Sequence, residues 1–356
     1  MTQRLARGLR GLGMVVATLL ASSSNAIAQT GTIVGRVITR GTSFPVSYTV
    51  VSAKPGAGER FTSDNGQFTF KGVPAARVVV RAKHIGYAPF DTAVIVPARD
   101  TLRLTIELSL IAIRLPAIQS LAKQCGHAGA GVDTATNLQL AMLFEQLKMN
   151  AERHALLSRE YPFELRVERK ITKPEPALEA RFVAFDTVSR ESTRDWSYAP
   201  GNVMGTREIE GGVFGGRWFT VNMPELADFA DEQFLRYHCF DFGGTDIVEG
   251  DTLIRIDFIP SPLVHDADVS GAVFLDRDSY QLRRMELNLV NISKPLRARV
   301  AAQSIRAKFA EVFPGVPMLS YVSSIVIPKD DPKKPAQEPA TETHRVLSVR
   351  FLRGKP

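Results

Sequence analysis

Cysteine is nearly missing: the 356 residues hold two, Cys125 and Cys239. There is no C-x-x-C pair, so a two-cysteine zinc site lacks its spacing partners. The six histidines, His84, His127, His154, His238, His265 and His344, include no pair at metal-ligand spacing, and H-E-x-x-H is absent. No G-x-S-x-G nucleophile elbow occurs. The glycine-rich run Gly211–Gly216 is followed by Arg217-Trp218-Phe219, not by the Gly-Lys-Ser/Thr of a phosphate loop, and reads as a hairpin turn. Lysines and arginines form no run interleaved with aromatics, which argues against a nucleic-acid partner. Catalytic, cofactor-binding and metal-ligating sets are therefore all read as none.

One apolar run is present, and it sits at the start. Arg4, Arg7 and Arg10 precede Gly11–Ala21, and the segment closes on Ala26-Ile27-Ala28. A basic region, a short apolar region and an A-x-A site make a cleavable secretory leader over residues 1–28. The apolar part is shorter than the roughly 20 residues that span a bilayer. An uncleaved anchor helix is the alternative. Cleavage predicts Gln29 as the mature N-terminus and a place outside a bacterial-type cytoplasm, in the periplasm, at the outer-membrane periphery or secreted. No later stretch is long and apolar enough to be a transmembrane helix. The whole chain carries +7; three arginines leave with the leader, so the mature chain keeps about +4. In an exported chain two cysteines point to a Cys125–Cys239 disulfide, with two buried thiols as the alternative. Closing a loop of over a hundred residues is worth roughly 4–5 kcal/mol in the chain-entropy model.

From Thr30 to Leu110 short strands recur: 32–39, 47–53, 67–73, 77–87, 91–97 and 101–108. Leu102, Leu104, Ile106 and Leu108 alternate with Arg103, Thr105 and Glu107, which gives one buried and one wet face. Asn65-Gly66 within Ser63–Gly66 predicts a type I′ hairpin turn. The order Gly35-Arg36-Val37, Ser63-Asp64-Asn65-Gly66-Gln67-Phe68, Gly72-Val73-Pro74 and His84-Ile85-Gly86-Tyr87 resembles the carboxypeptidase regulatory-like domain. That resemblance implies a transthyretin-like seven-stranded sandwich, as also found at the N-terminus of TonB-dependent transporters. Here neither a zinc peptidase domain precedes it nor a barrel-length region follows.

Leu115-Pro116 ends the strand pattern. Thr136-Asn137-Leu138-Gln139 fits a capping box, and Leu140, Phe144, Leu147 and Ala151 follow at helical spacing. The helix should stop before Tyr161-Pro162. Glu145, Lys148, Glu152 and Arg153 are read as its polar face, so it packs on the second domain; a membrane-surface helix is the alternative. From Tyr161 onward period two returns. Phe163/Leu165/Val167, Ile254/Ile256/Phe258, Met285/Leu287/Leu289, Leu319/Tyr321/Ile325/Ile327 and Leu347/Val349/Phe351 are each read as one buried face of an antiparallel sheet. Lys329–Thr343 is Pro-rich and charged, the tip of a hairpin. Ser270–Asp276 with Ser279–Glu286 resembles a strand–turn–strand of the large curved sheets in envelope lipid- and lipoprotein-handling proteins. The His238-Cys239-Phe240 context resembles C-terminal regions of exported proteins that carry the regulatory-like module.

The remaining polar groupings each have a plain reading. Asp266-Ala267-Asp268-Val269-Ser270-Gly271 begins like a calcium loop, but Arg277 stands where the bidentate Glu is needed, so a charged turn is expected. Asp241, Asp246, Glu249 and Asp251 read as a solvated turn. His238 beside Cys239 invites a thiol-nucleophile reading that a disulfide would remove. Trp196, Tyr198 and Trp218 are candidate ligand-contact aromatics if exposed, and core residues otherwise. The fold expected is mostly β: a sandwich over 29–118, connector and helix over 119–160, and a large curved antiparallel sheet over 161–356. The function expected is a non-catalytic binding or accessory role at the envelope, with a glycan bound by the sandwich or an envelope protein as partner. An exported hydrolase with its site in the C-terminal domain is the alternative.

Overall fold

The computed structural model describes residues 29–113, 115, 138–175, 180–192, 196–209, 216–330 and 338–353. The first seven strands form a sandwich of two sheets. They are β1 (Thr30–Thr39), β2 (Val50–Lys54), β3 (Ala57–Phe61), β4 (Gln67–Pro74), β5 (Arg77–Lys83), β6 (Phe90–Ile95) and β7 (Thr101–Leu108). One sheet has the order β4-β1-β7, with β1 parallel to β7; the other has the order β3-β2-β5-β6. Six strand runs are legible in the sequence and seven strands form, because β3 (AGERF) has almost no apolar alternation to announce it. The core is Ile33, Val37, Val51, Phe70, Val78, Val80 and Ile106, all fully buried.

Two glycines explain the motifs here. A Cβ on Gly35 would lie 2.3 Å from Cζ of Phe68 and 2.8 Å from the Leu104 carbonyl, so a bare backbone is what admits the ring. Gly66 takes φ +69. The expected type I′ hairpin is corrected, because Asn65 is not in the left-handed region. Gly66 N–H donates to Ser63 O at 2.9 Å, a tight turn followed by a left-handed glycine, and the flanking strands then part. β3 pairs with β2 while β4 pairs with β1, so the turn carries the chain between sheets. The expected strand 77–87 stops at Lys83; His84–Tyr87 is a turn closed by Tyr87 N–H to His84 O.

Helix α1 (Leu138–Glu160) and nine further antiparallel strands build the second part. The strands are β8 (Phe163–Glu175), β9 (Ala180–Glu191), β12 (His238–Val248), β13 (Asp251–Pro260), β14 (Asp268–Asp276), β15 (Leu282–Val290), β16 (Val300–Phe313), β17 (Val316–Pro328) and β18 (Ala340–Phe351). They form one sheet in the order β12-β13-β14-β15-β16-β17-β18-β8-β9. A separate ribbon pairs β10 (Met204–Ile209) with β11 (Gly216–Val221), on either side of the glycine-rich run. Short helices α2 (Glu232–Tyr237) and α3 (Lys294–Arg297) and a 3-10 turn (Leu226–Ala230) complete it. Cys125, His127 and Thr136 lie outside the described residues. β18 begins at Ala340, so the last four residues of the expected hairpin tip are strand.

The helix packs as its spacing requires: Leu140, Leu143, Phe144 and Leu147 join Phe240, Phe258, Val273 and Met285 in the main core. Arg153, however, does not belong to the polar face. It is 1 % exposed, and with Gln146 (2 %) and Asn150 (0 %) it forms a buried polar stripe at i, i+4 and i+7. Each of these three side chains satisfies backbone groups of a neighbouring element. Gln146 Oε1 accepts from Gly86 N–H (2.8 Å), Asn150 bridges Tyr280 O and Leu282 N–H, and Arg153 donates to Gly315 O (2.7 Å) and Tyr48 O (2.8 Å). Gly86 and Tyr48 belong to the sandwich; Tyr280 and Gly315 belong to turns of the large sheet. Around Arg153, Tyr48 stands edge-on to Phe313 at 4.8 Å, and the guanidinium lies 5.4 Å from the Phe61 ring. Burial lowers the Arg153 pKa to about 10.

Removing this side chain leaves buried carbonyls without donors, each worth about 1–3 kcal/mol. Arg153→Ala is expected to destabilise the protein by about 3 kcal/mol, measured by urea denaturation. Loss of less than about 1 kcal/mol would show the stripe to be dispensable.

Candidate functional site

Two concavities matter. A groove of about 760 Å³ lies at the joint, between His84–Tyr87, Leu110–Ile113 and the Arg277–Gln281 turn. A cavity of about 650 Å³ lies against the large sheet, within the size range of small-molecule sites. Its floor is apolar and comes from three neighbouring strands. β15 supplies Met285 and Leu287, β16 supplies Ile305, Ala307 and Phe309, and β17 supplies Leu319, Val322 and Val326. Leu296 of α3 and the segment Val221–Leu226 also line it.

The register that puts those residues on one face differs from the simple alternation. Lys308 pairs with Tyr321 but Phe309 with Leu319, so Ser320 is an extra residue. The bulge switches parity along β17: Leu319 and Val322 both face the cavity. Ile325 and Ile327 fall on the opposite parity to the cavity residues Ser324 and Val326, and Ile327 is 44 % exposed. The single-face reading of Leu319, Tyr321, Ile325 and Ile327 is corrected accordingly. A second bulge between Val346 and Ser348 on β18 leaves Leu347 exposed while Val349 and Phe351 pack near Phe163. The other three runs hold: Phe163 and Val167 are buried with Leu165 half-buried between them, Ile254, Ile256 and Phe258 are buried, and so are Met285 and Leu287, with Leu289 half-buried.

One part of the cavity lining is polar. His344 Nε2 lies 2.7 Å from Glu342 Oε1, and Arg190 Nη2 lies 2.9 Å from His344 Nδ1. Arginine only donates, so Nδ1 accepts and Nε2 carries the proton given to Glu342. The His344 hydrogen bond holds the Glu342 carboxyl below its usual range, with Arg169 and Arg190 adding to the effect. Across the strand Arg169 pairs with Asp186 (2.8 Å). His154, one residue beyond Arg153 on α1, also lines the cavity, edge-on to Phe163. Its Nδ1 has no hydrogen-bond partner among the described residues, and burial lowers its pKa to about 4. His84 at the joint is lowered to about 3, by burial first and then by the Arg153 charge.

The residues singled out from sequence fall elsewhere. Tyr198 is 2 % exposed; its hydroxyl donates to Asp268 Oδ2 at 2.6 Å, and its ring meets Phe234 and His238. It is a core residue with no face left for a ligand. Trp196 is half-buried against the same core, and Trp218 lies on β11. The calcium-like hexapeptide runs into strand β14, and Asp268, which opens that strand, is fully buried instead of lying in a charged turn. His238 Nε2 is 3.3 Å from Asp268 Oδ1, its Nδ1 is 3.0 Å from Phe234 O, and its ring stacks on Phe234 at 4.0 Å. Tyr198, Asp268 and His238 thus form a relay with the outline of a catalytic triad, but both the His238 and Asp268 side chains are 0 % exposed. Sealed in this way, the relay ties α2 to β14 and offers no contact to substrate. Cys239 beside it is 6 % exposed. Asp241 is 2 % exposed, not part of a solvated turn, and burial raises its pKa. Arg190, His344, Glu342 and His154 were not singled out. The only sequence signal was Glu342-x-His344 at strand period, and three strands and a helix must assemble before these residues share a cavity.

Sandwich, helix and large concave sheet define a mostly β protein with an apolar cavity. Residues 32–109, the sandwich, match the family model of the carboxypeptidase regulatory-like domain, the family that its motifs resembled. No curated protein is similar in sequence to the chain. Among solved structures, a protein described as carbohydrate-binding from Bacteroides uniformis is 16 % identical over 22 % of this chain (TM-score 0.19), and this chain spans 40 % of it. A DUF1329 family protein from Desulfovibrio piger is 9 % identical over 60 % of this chain and 95 % of its own length (TM-score 0.30). A LolA superfamily protein from Nitrosomonas europaea is 10 % identical over 60 % of this chain and 94 % of its own length (TM-score 0.29).

Both cavity and joint carry a histidine with a lowered pKa. The unfolded chain, with histidine near 6.5, takes up these protons first. Their contribution to stability is therefore full above about pH 6.5 and is lost as pH falls toward the folded values of about 4 and 3. Urea midpoints measured from pH 7.5 to 4.5 should fall, and His154→Phe should flatten the decline. An identical decline in that variant would remove His154 from the account.

Proposed function

We propose that this chain is an exported envelope protein that binds an apolar ligand between its large sheet and the Val221–Leu226 cover, without catalysing a reaction. The observation that carries the reading is the cavity itself: about 650 Å³, with a floor of apolar side chains. An apolar cavity of that size favours an apolar guest, at about 0.8 kcal/mol per buried methylene. The leader over residues 1–28 supports export to the periplasm or outer-membrane periphery. Among the described residues no helix is long and apolar enough to cross a membrane.

Glycan binding by the sandwich is less favoured. That reading needs a platform of exposed rings, and of the sandwich aromatics only Phe44, 74 % exposed, is strongly exposed. Tyr48 and Phe61 pack at the joint, and Phe68 and Phe70 lie in the core. Assistance to an outer-membrane system, with an envelope protein as partner, is compatible with ligand binding. The exported-hydrolase reading loses its triad-like group, because the His238 and Asp268 side chains of the Tyr198–Asp268–His238 relay are closed to solvent. We further propose the domain division 29–118, 119–160 and 161–356, and a Cys125–Cys239 bridge that pins the connector to β12.

Titration of the purified mature chain with octanol, decanol and dodecanol, followed by calorimetry, tests the cavity. Each methylene should tighten binding about fourfold, and Val322→Trp should abolish it. Absence of binding across the series, or binding unaltered in the filled variant, would overturn the reading. For the bridge, alkylation of the exported protein without reductant should modify neither thiol, and Cys239→Ser should expose Cys125. Two reactive thiols in the unreduced wild type would disprove it.

A further inference from the structure

Resting on the apolar-ligand reading, we infer that the cavity is selective for an amphiphile with an anionic head, a carboxylate or a phosphate ester, held by Arg190. Most charges at and beside the cavity are already engaged. Glu342 is held by His344 Nε2–H, and Arg169 by Asp186. Glu225 lies at the start of the Leu226–Ala230 turn, where a capping box engages its side chain. Arg190 differs. Among the described residues its one side-chain bond runs from Nη2 to the neutral Nδ1 of His344, and no carboxylate is paired with it. Its Nη1 and Nε donors remain open at a solvent-facing position of the cavity wall.

Register places a second polar group nearby. Arg190 pairs across the strand with Leu165, which shares a face of β8 with Phe163. The Phe163 ring is the one that His154 meets edge-on at 6.2 Å. His154 therefore borders the same end of the cavity, with its Nδ1 unpartnered. Neutral histidine can donate from that nitrogen to an oxyanion once the other nitrogen is left unprotonated. The apolar floor on β15, β16 and β17 extends from this end across the sheet. A ligand with one charged terminus and a methylene chain matches that division: guanidinium and imidazole at the head, Met285, Leu287, Ile305 and Phe309 along the tail. His344 orients the guanidinium, and Glu342, by accepting from Nε2, fixes the tautomer that lets it do so. Arginine suits this role because its planar fork pairs two donors with two oxygens of a carboxylate or phosphate.

Calorimetric titration of the mature full-length chain with dodecanoate, dodecyl phosphate and dodecanol, at one ionic strength, tests this. Dodecanoate or dodecyl phosphate should bind at least about tenfold tighter than dodecanol. The tighter of the two identifies the head as carboxylate or phosphate. Arg190→Gln should collapse the anion-to-alcohol affinity ratio toward one, and Arg190→Lys should restore part of it. An anion that binds no better than dodecanol, or a ratio unmoved by Arg190→Gln, overturns the inference and leaves the apolar cavity standing. If none of the three probes binds, it is the underlying apolar-ligand reading that fails.

Discussion

The arrangement depends on a buried guanidinium whose hydrogen bonds go to backbone carbonyls, with the Glu311 charge near enough to favour it. Taking a charge out of water costs several kcal/mol even after relaxation, and the fall in the Arg153 pKa to about 10 is the sign of that cost. It is offset by carbonyls from two parts of the fold, Tyr48 O in the sandwich and Gly315 O and Pro314 O in the β16–β17 turn. A shorter or neutral side chain could not reach all of them. Gly315 completes the fit: a Cβ there would lie 2.6 Å from Nη2 of Arg153. Because α1 is held by this residue, its next side chain, His154, is delivered to the cavity wall. The joint and the candidate site are thus served by adjacent residues of a single helix.

Two polar networks with similar chemistry have opposite fates, decided by access. Tyr198, Asp268 and His238 have the donors, acceptor and imidazole of a relay, yet Phe234 and Phe258 close over them. In a low-dielectric interior such a fully bonded network specifies packing. Arg190, His344 and Glu342 lie on the open side of the sheet, where bond-donating capacity remains for something outside the chain. A composition count would treat the two alike.

The cavity owes its mixed lining, aliphatic beside polar, to a bulge. Without the extra Ser320, Ile325 and Ile327 would continue the inward face begun by Leu319, and Ser324 would point out. With it, Val322, Ser324 and Val326 turn inward on the side where Glu342 and His344 pair across from them. The one-residue shift therefore brings polar groups of β18 into the same space as aliphatic groups of β16. Bulges leave no clear mark in the residue pattern, since any strand of mixed polarity can hold one.

Much was settled by local chemistry alone. Strand alternation in β7 and β13, the sandwich motifs, the helix with its stop at Tyr161-Pro162, and the mostly β class all follow from period, turn residues and the stereochemistry of glycine and proline. These depend on neighbours in the chain, so the chain shows them. Tertiary structure alone decided that Arg153 and Asp241 would be buried, that Tyr198 would belong to the core, and that Arg190, His344 and His154 would meet at one cavity. Burial of a polar residue is a property of the partners that come to satisfy it. Those partners, Gly315 for Arg153 and Asp268 for Tyr198, lie 162 and 70 residues away in sequence, beyond the reach of any local pattern.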